Sequence, residues 1–176
     1  MVKKDVKYTG ERMVPGEVPS IFFFDHLRRY YFISKLCKCK SVLDVGCGNG
    51  YGSSILADKA KCVVGIDVEK EDIYNARHTY KKKNLKFILG GLSSKELINK
   101  KYDVVCSFEV IEHVNDQDGF VCGIKNLMKK SGISVISTPN KLVVSPNSKK
   151  PSNPFHTKEF EYTDSRLACL GLAINQ

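Results

Sequence analysis

No apolar run in this chain approaches the eighteen or so residues needed to cross a bilayer. The opening stretch, MVKKDVKYTGER, also lacks the apolar core of a signal peptide. Neither a membrane span nor a leader is expected, and the cytoplasm is the expected compartment. Cysteine is present, but in the wrong pattern for its two common structural uses. Seven is an odd number, and most of these residues sit inside apolar runs, which favours reduced, buried thiols over a disulfide framework. Cys37 and Cys39 form a C-x-C, yet no second pair or nearby histidine completes a zinc set, so no metal is expected. Acidic charge is in deficit: 28 Lys+Arg stand against 19 Asp+Glu, a formal net charge of +9. The excess is mostly lysine in short clusters, such as those at 81–83 and 149–150. The clusters have no interleaved aromatics and no nucleic-acid motif accompanies them. They read as a solvated surface, and a nucleic-acid partner is not expected.

What the chain does have is a short β-branched run feeding a glycine loop. In SVLDVGCGNGYG at 41–52, Val42, Leu43 and Val45 are too few for a helix and predict a buried strand. Gly46, Gly48 and Gly50 follow, and a helix is predicted over 51–60. A glycine turn between a strand and a helix lets the backbone approach a ligand and points helix-terminal amides at it. The dinucleotide fingerprint G-x-G-x-x-G would place its third glycine at Tyr51, so a nicotinamide cofactor is disfavoured. Further strands are predicted at 62–66, 86–89, 103–107 and 133–137, and helices at 21–36, 70–82, 94–99 and 116–130. Five buried strands alternating with helices predict an α/β fold, a doubly wound, mostly parallel sheet with right-handed crossovers. Ligands bind such sheets at the carboxyl ends of the strands, where the order reverses. Asp67 follows the second strand, about twenty residues after Gly46, the spacing at which a carboxylate can accept from both ribose hydroxyls. It could equally cap the following helix.

The form D-x-G-x-G-x-G, with Asp44 two residues before the first glycine, resembles motif I of the class I (Rossmann-like) S-adenosylmethionine-dependent methyltransferases. YDVVCSFEVIEHV at 102–114 is similar to the signature after the fourth strand in methyltransferase type 11 and related subfamilies, which include ubiquinone-biosynthesis O-methyltransferases. STPN at 137–140 resembles a recurring ending of the fifth strand, and NPFH at 153–156 resembles the substrate-side lid. The strings YTGERMVP at 8–15 and HLRRY at 26–30 look like the N-terminal arm of a bacterial group linked to cell-surface glycan and small-metabolite pathways.

The resemblance implies S-adenosyl-L-methionine as cofactor, held by Asp44, Gly46, Cys47, Gly48, Gly50, Asp67, Val68, Gly91, Leu92, Phe108 and Glu109. Gly91 departs from the family, which usually has an acidic residue there for the adenine amino group; Ser93 and Ser94 are the alternatives. His113 and His156 are the candidate bases, since an unperturbed imidazole titrates near pH 6.5. His113 could instead fix its loop by hydrogen bonding. Arg12 and Arg29 are placed near a carboxylate, and Asp116 and Asp118 as caps of the helix at 116–130.

The expected organisation is one domain over 1–176: an arm and capping helix at 1–40, a cofactor-binding core at 41–140, then a lid loop and shortened end at 141–176. The phenylalanines of the capping helix are expected to cover one sheet edge, and 141–153 to be a mobile loop. Only one short element fits into 167–174, so the usual C-terminal antiparallel strand pair is expected to be missing. An exposed sheet edge would then invite a homodimer. The expected activity is methyl transfer to an oxygen or nitrogen of a small-molecule or glycan-type acceptor. The alternative is a cofactor-binding subunit that is non-catalytic or depends on a partner.

Overall fold

The computed structural model describes residues 20–161, 164 and 173–175. Arg12, the YTGERMVP string and most of 162–176, including Cys169, lie outside the described residues. The chain runs α1 (Ser20–Ser34), β1 (Ser41–Val45), α2 (Tyr51–Ala57), β2 (Cys62–Asp67), α3 (Lys70–Thr79), β3 (Leu85–Leu89), β4 (Tyr102–Phe108), α4 (Gln117–Leu127), β5 (Met128–Thr138), α5 (Lys141–Val144) and β6 (Ala173–Asn175). Single 3-10 turns occur at Lys95–Leu97 and Ile111–His113.

The sheet order is β3-β2-β1-β4-β5-β6, and every described strand pairing is parallel. The order reverses between β1 and β4. The antiparallel pair is not among the described residues; β6 instead pairs parallel to the end of β5, at Ile136↔Ala173 to Thr138↔Asn175.

Strand alternation assigns side chains to the two faces. Val42 of β1, Val104, Cys106 and Phe108 of β4 and Val135 of β5 share a core with Tyr30 and Ile33 of α1 and Leu56 of α2. Leu43, Val45, Val105 and Ile136 face the other way, against Phe120, Val121, Ile124 and Leu127 of α4. Both faces are covered, which is why the strands read as continuous apolar runs.

Three expectations need correction. Helix α4 ends at Leu127, not 130, and Ser131 and Gly132 lie inside β5. There the register slips, with Tyr102 opposite Met128 but Val104 opposite Ile133. Lys129, Lys130 and Ser131 are exposed on this excursion, and the Lys129 ammonium lies 2.8 Å from Asp103. Solvation and an ion pair therefore take those lysines away from the helix. In α1, Phe23 and Leu27 pack on the α2 face, but Phe24 and Phe32 are exposed, so the phenylalanines do not act together as an edge cover. Finally, 141–153 is organised. Asn140 Oδ1 caps α5 by accepting from the Leu142 amide at 3.1 Å, and the Ser152 amide donates to Ser145 Oγ at 2.8 Å. The chain then returns to pair Asn140 with the fully buried Phe160.

Candidate functional site

A cleft of about 1240 Å³ opens at the carboxyl ends of β1, β2 and β4. Its floor is the turn after β1. The amides of Gly46 and Cys47 both donate to Ile66 O, at 2.8 and 3.1 Å, which fastens the turn to β2. Gly48 and Gly50 have φ of +51° and +85°, a region that costs any residue with a Cβ. At Gly48 a side chain would meet nothing within 4 Å; at Gly50 it would meet the Phe87 ring at 2.6 Å. The first glycine leaves room for a ligand, and the second lets α2 start close to the sheet.

Asp67 lines the cleft. Its Oδ2 accepts from the Gly48 amide at 2.8 Å and its Oδ1 from the Glu69 amide at 2.9 Å. One carboxylate thus orders both the glycine turn and the approach to α3, whose N-cap is Glu69. A carboxylate offers about four acceptor positions, so two remain for a ligand.

Asp44 sits differently. It is fully buried on the α1/α2 face and does not reach the cleft wall; Gly50 likewise stands behind that wall. The Asp44 carboxyl accepts from Ser53 Oγ at 2.6 Å, Cys106 Sγ at 3.4 Å and Tyr30 Oη at 3.3 Å, joining α2, β4 and α1. Burial pushes its pKa up to about 6 from an ordinary 3.8, against the pull of the Ser53, Cys106 and Tyr30 bonds. This raised value makes a stability contribution that is complete below pH 3.8 and is lost as pH rises through 6. The difference is worth ~3 kcal/mol. Buried His26 works in the opposite direction. Desolvation and Arg29 lower its pKa to about 3, so its contribution is complete above pH 6.5 and is lost as pH falls toward 3. Asp44→Asn isolates the first effect: the stability difference between wild type and variant should change by ~3 kcal/mol between pH 3.5 and pH 7. Urea unfolding at both pH values measures it, and an unchanged difference would contradict the assignment.

The other wall comes from the chain after β4. Phe108 and Glu109 both line the cleft. Glu109 has φ +56°, unusual for a residue with a side chain, and it is held there from two sides. Its amide donates to Ser137 O at 3.0 Å, while its Oε1 accepts from Ser137 Oγ at 2.6 Å and lies 3.4 Å from Arg29. The carboxylate that Arg29 meets is therefore Glu109. Cys47, Val68, Gly91 and Leu92 also line the cleft, with Val68 69% exposed. A side chain at Gly91 would meet nothing within 4 Å, whereas Ser94 Oγ lies under Gly90, leaving Ser93 as the serine on the wall. Cys47 and Cys106 are buried, which raises their thiol pKa values and makes them poor nucleophiles.

His113 and His156, distant in sequence, come together with ring centroids 5.0 Å apart. Thr157 ties their two segments: its amide and hydroxyl donate to Glu112 O at 2.7 and 2.9 Å. His113 Nδ1 lies 3.1 Å from Phe155 O, and His156 Nδ1 3.0 Å from Glu159 Oε1. Asp116 caps α4 by accepting from the Gly119 amide at 2.9 Å. Sequence reasoning did not assign His26 and Tyr51 to the cleft, where they pair at 2.8 Å. It placed Glu159 beyond NPFH in the lid resemblance without assigning it any chemistry. The HLRRY string was the available signal for His26; nothing in the sequence marked Glu159 as the partner of His156.

A family model for a methyltransferase domain matches residues 37–173. The chain belongs to that family. A Mycolicibacterium smegmatis protein described as "Probable S-adenosylmethionine-dependent methyltransferase" is 36% identical over 152 residues, covering 86% of this chain and 58% of that one. The ubiquinone biosynthesis O-methyltransferase of Pelagibacter ubique is 42% identical over 106 residues, 59% of this chain and 44% of that one. The chain thus spans about half the length of these curated relatives, 58% of one and 44% of the other. Among solved structures, the YcgJ protein of Bacillus subtilis has a TM-score of 0.65 at 18% identity, covering 82% of this chain and 68% of that one. The N-methyltransferase NodS of Bradyrhizobium japonicum, in complex with S-adenosyl-L-homocysteine, has a TM-score of 0.57 at 18% identity, with 65% and 61% covered. These two likenesses establish the class I methyltransferase-type α/β fold of this domain.

Proposed function

We propose that this methyltransferase domain binds S-adenosyl-L-methionine and transfers its methyl group to an oxygen of a small-molecule or glycan-type acceptor. One observation carries the reading. A single cleft holds the Gly46–Gly48 turn and Asp67 together with an imidazole pair, His113 and His156. The cradle suits the cofactor: Gly48 leaves open space, and Asp67 keeps two acceptor positions for ribose hydroxyls. Gly46, Cys47, Val68, Gly91, Leu92, Phe108 and Glu109 would complete its surroundings. When bound, the cofactor supplies an electrophilic sulfonium methyl. The chain's own part is to align the acceptor, exclude water and take up its proton. An oxygen acceptor is favoured over nitrogen because a hydroxyl gains from a base at this end of the cleft, and the O-methyltransferase relatives support the same choice.

The test is S-adenosylhomocysteine release over a panel of hydroxylated and amine acceptors. Turnover on a hydroxylated compound should fall about a hundredfold or more in His113→Ala or His156→Ala. Turnover on amines alone, unaffected by either change, would reject the oxygen assignment. Gly91→Asp probes the adenine end. The open space there accommodates a carboxylate, and one added charged acceptor should tighten cofactor binding about tenfold. Unchanged affinity would place the adenine elsewhere.

The second reading, a cofactor-binding subunit that needs a partner, is favoured by the missing carboxylate at Gly91. Turnover by the isolated chain would remove it. Pairing of two copies at an outer strand, β3 or β6, belongs to the same proposal, and sedimentation analysis reads it.

A further inference from the structure

We propose that the cleft selects its acceptor by charge, admitting hydroxylated compounds that carry no phosphate, sulfate or carboxylate group. This deepens the acceptor reading above and rests on it. The chain as a whole is basic, with a formal net charge of +9, yet its cleft is not. Asp67, Glu69, Asp72, Glu109, Glu112 and Asp116 all line it, and among the described residues no lysine or arginine does.

Cations on the flanking segments have other partners. Arg29 meets Glu109 at 3.4 Å and offsets that one carboxylate. Lys141 lies 3.6 Å from Glu161 and Lys158 3.1 Å from Asp164, two carboxylates that are not part of the cleft wall. Buried His26 lines the cleft, but desolvation lowers its pKa to about 3, so it adds no charge near pH 7.

The glycine turn, the usual device for holding a phosphate, has its amides committed as well. Those of Gly46 and Cys47 donate to Ile66 O, that of Gly48 to Asp67 Oδ2 at 2.8 Å, and that of Gly50 to Cys47 O at 3.0 Å. An anion entering the cleft therefore gives up its water and meets neither a cation nor a free glycine amide in return. Val110, Val114, Phe120 and Phe155 line the same cleft. Apolar walls of this kind concentrate the field of charges of one sign, so the repulsion reaches the mouth of the cleft. A hydroxyl group carries no such penalty.

The test follows the methyl signals of Val110 and Val114 in the isotope-labelled full chain, with EDTA present so that the wall carries only the protein's own charge. Benzyl alcohol, benzoate and benzyltrimethylammonium supply matched rings that are neutral, anionic and cationic. At about 20 mM salt, benzoate should bind at least about tenfold more weakly than the alcohol, and the ammonium at least as tightly as the alcohol. At about 0.5 M salt the spread should shrink to within about threefold. Asp116→Asn removes one charge but keeps an oxygen for the α4 cap, and should narrow the low-salt gap about two- to threefold. These readings need neither cofactor nor turnover, so they stand even where methyl transfer fails. In turnover, anionic members of the hydroxylated panel should lose at least about tenfold in kcat/KM against their neutral counterparts. Benzoate binding as tightly as the alcohol, a ranking indifferent to salt, a gap unchanged in folded Asp116→Asn, no response to any probe, or preferred turnover of a phosphorylated or carboxylated acceptor would each overturn the proposal.

Discussion

Asp67→Ala is expected to weaken S-adenosylhomocysteine binding ten- to a hundredfold or more. Two losses combine. The ligand loses an ionised acceptor for its ribose, and hydrogen bonds to charged groups contribute about 1.5–3 kcal/mol each. The protein also loses the Oδ2 contact to the Gly48 amide and the Oδ1 contact to the Glu69 amide, so the glycine turn is no longer fixed before the ligand arrives. Asp67→Asn should fall between wild type and alanine. It retains one carbonyl oxygen but turns an N–H₂ toward one of two backbone donors. Calorimetric titration measures all three proteins. Equal affinity for wild type and Asp67→Ala would remove the ribose assignment.

Gly52→Ala is expected to destabilise the fold by about 3 kcal/mol, the upper part of the usual range for overpacked cores. A Cβ on Gly52 would lie 2.0 Å from Tyr30 Cζ and 2.3 Å from both Cε atoms. Tyr30 cannot simply turn aside: it is buried, its hydroxyl meets Asp44, and its ring stands edge-on to Phe108 at 5.0 Å. Alanine's better helix propensity offsets only ~1 kcal/mol of this. For a chain of this size the midpoint should drop by roughly 6–12 °C. Tyr30→Leu should recover part of the loss in a double-mutant cycle, because the clash is with that ring. A neutral Gly52→Ala would mean that α1 does not rest on α2 in this way.

The parallel strands were legible because both faces of the sheet are covered, which turns Val42 to Val45 and Val104 to Phe108 into apolar runs. The glycine turn and Asp67 were legible because their spacing is set by one strand–helix–strand unit. Asp44 was legible as a motif residue but not in its placement. Which face a β1 side chain takes depends on Tyr30, Ser53 and Cys106, and two of these are far away in sequence. The end of α4 was misread because 128–130 carries good helix formers, while Lys129 is drawn off to Asp103 across the sheet. The pairing of His113 with His156 and Glu159 rests on Thr157 and Phe155 meeting the turn after β4. A contact spanning more than forty residues leaves no periodic trace in sequence.

The proposed function stands or falls with the cleft over the Gly46–Gly48 turn being a methyl-donor site. Competitive calorimetry on the wild-type chain, with S-adenosylhomocysteine, S-adenosylmethionine and NAD⁺, tests it most directly. One S-adenosylhomocysteine should bind per chain, with about micromolar affinity, displaced by S-adenosylmethionine and indifferent to NAD⁺. Binding of NAD⁺ in place of S-adenosylhomocysteine, or of neither, would contradict it.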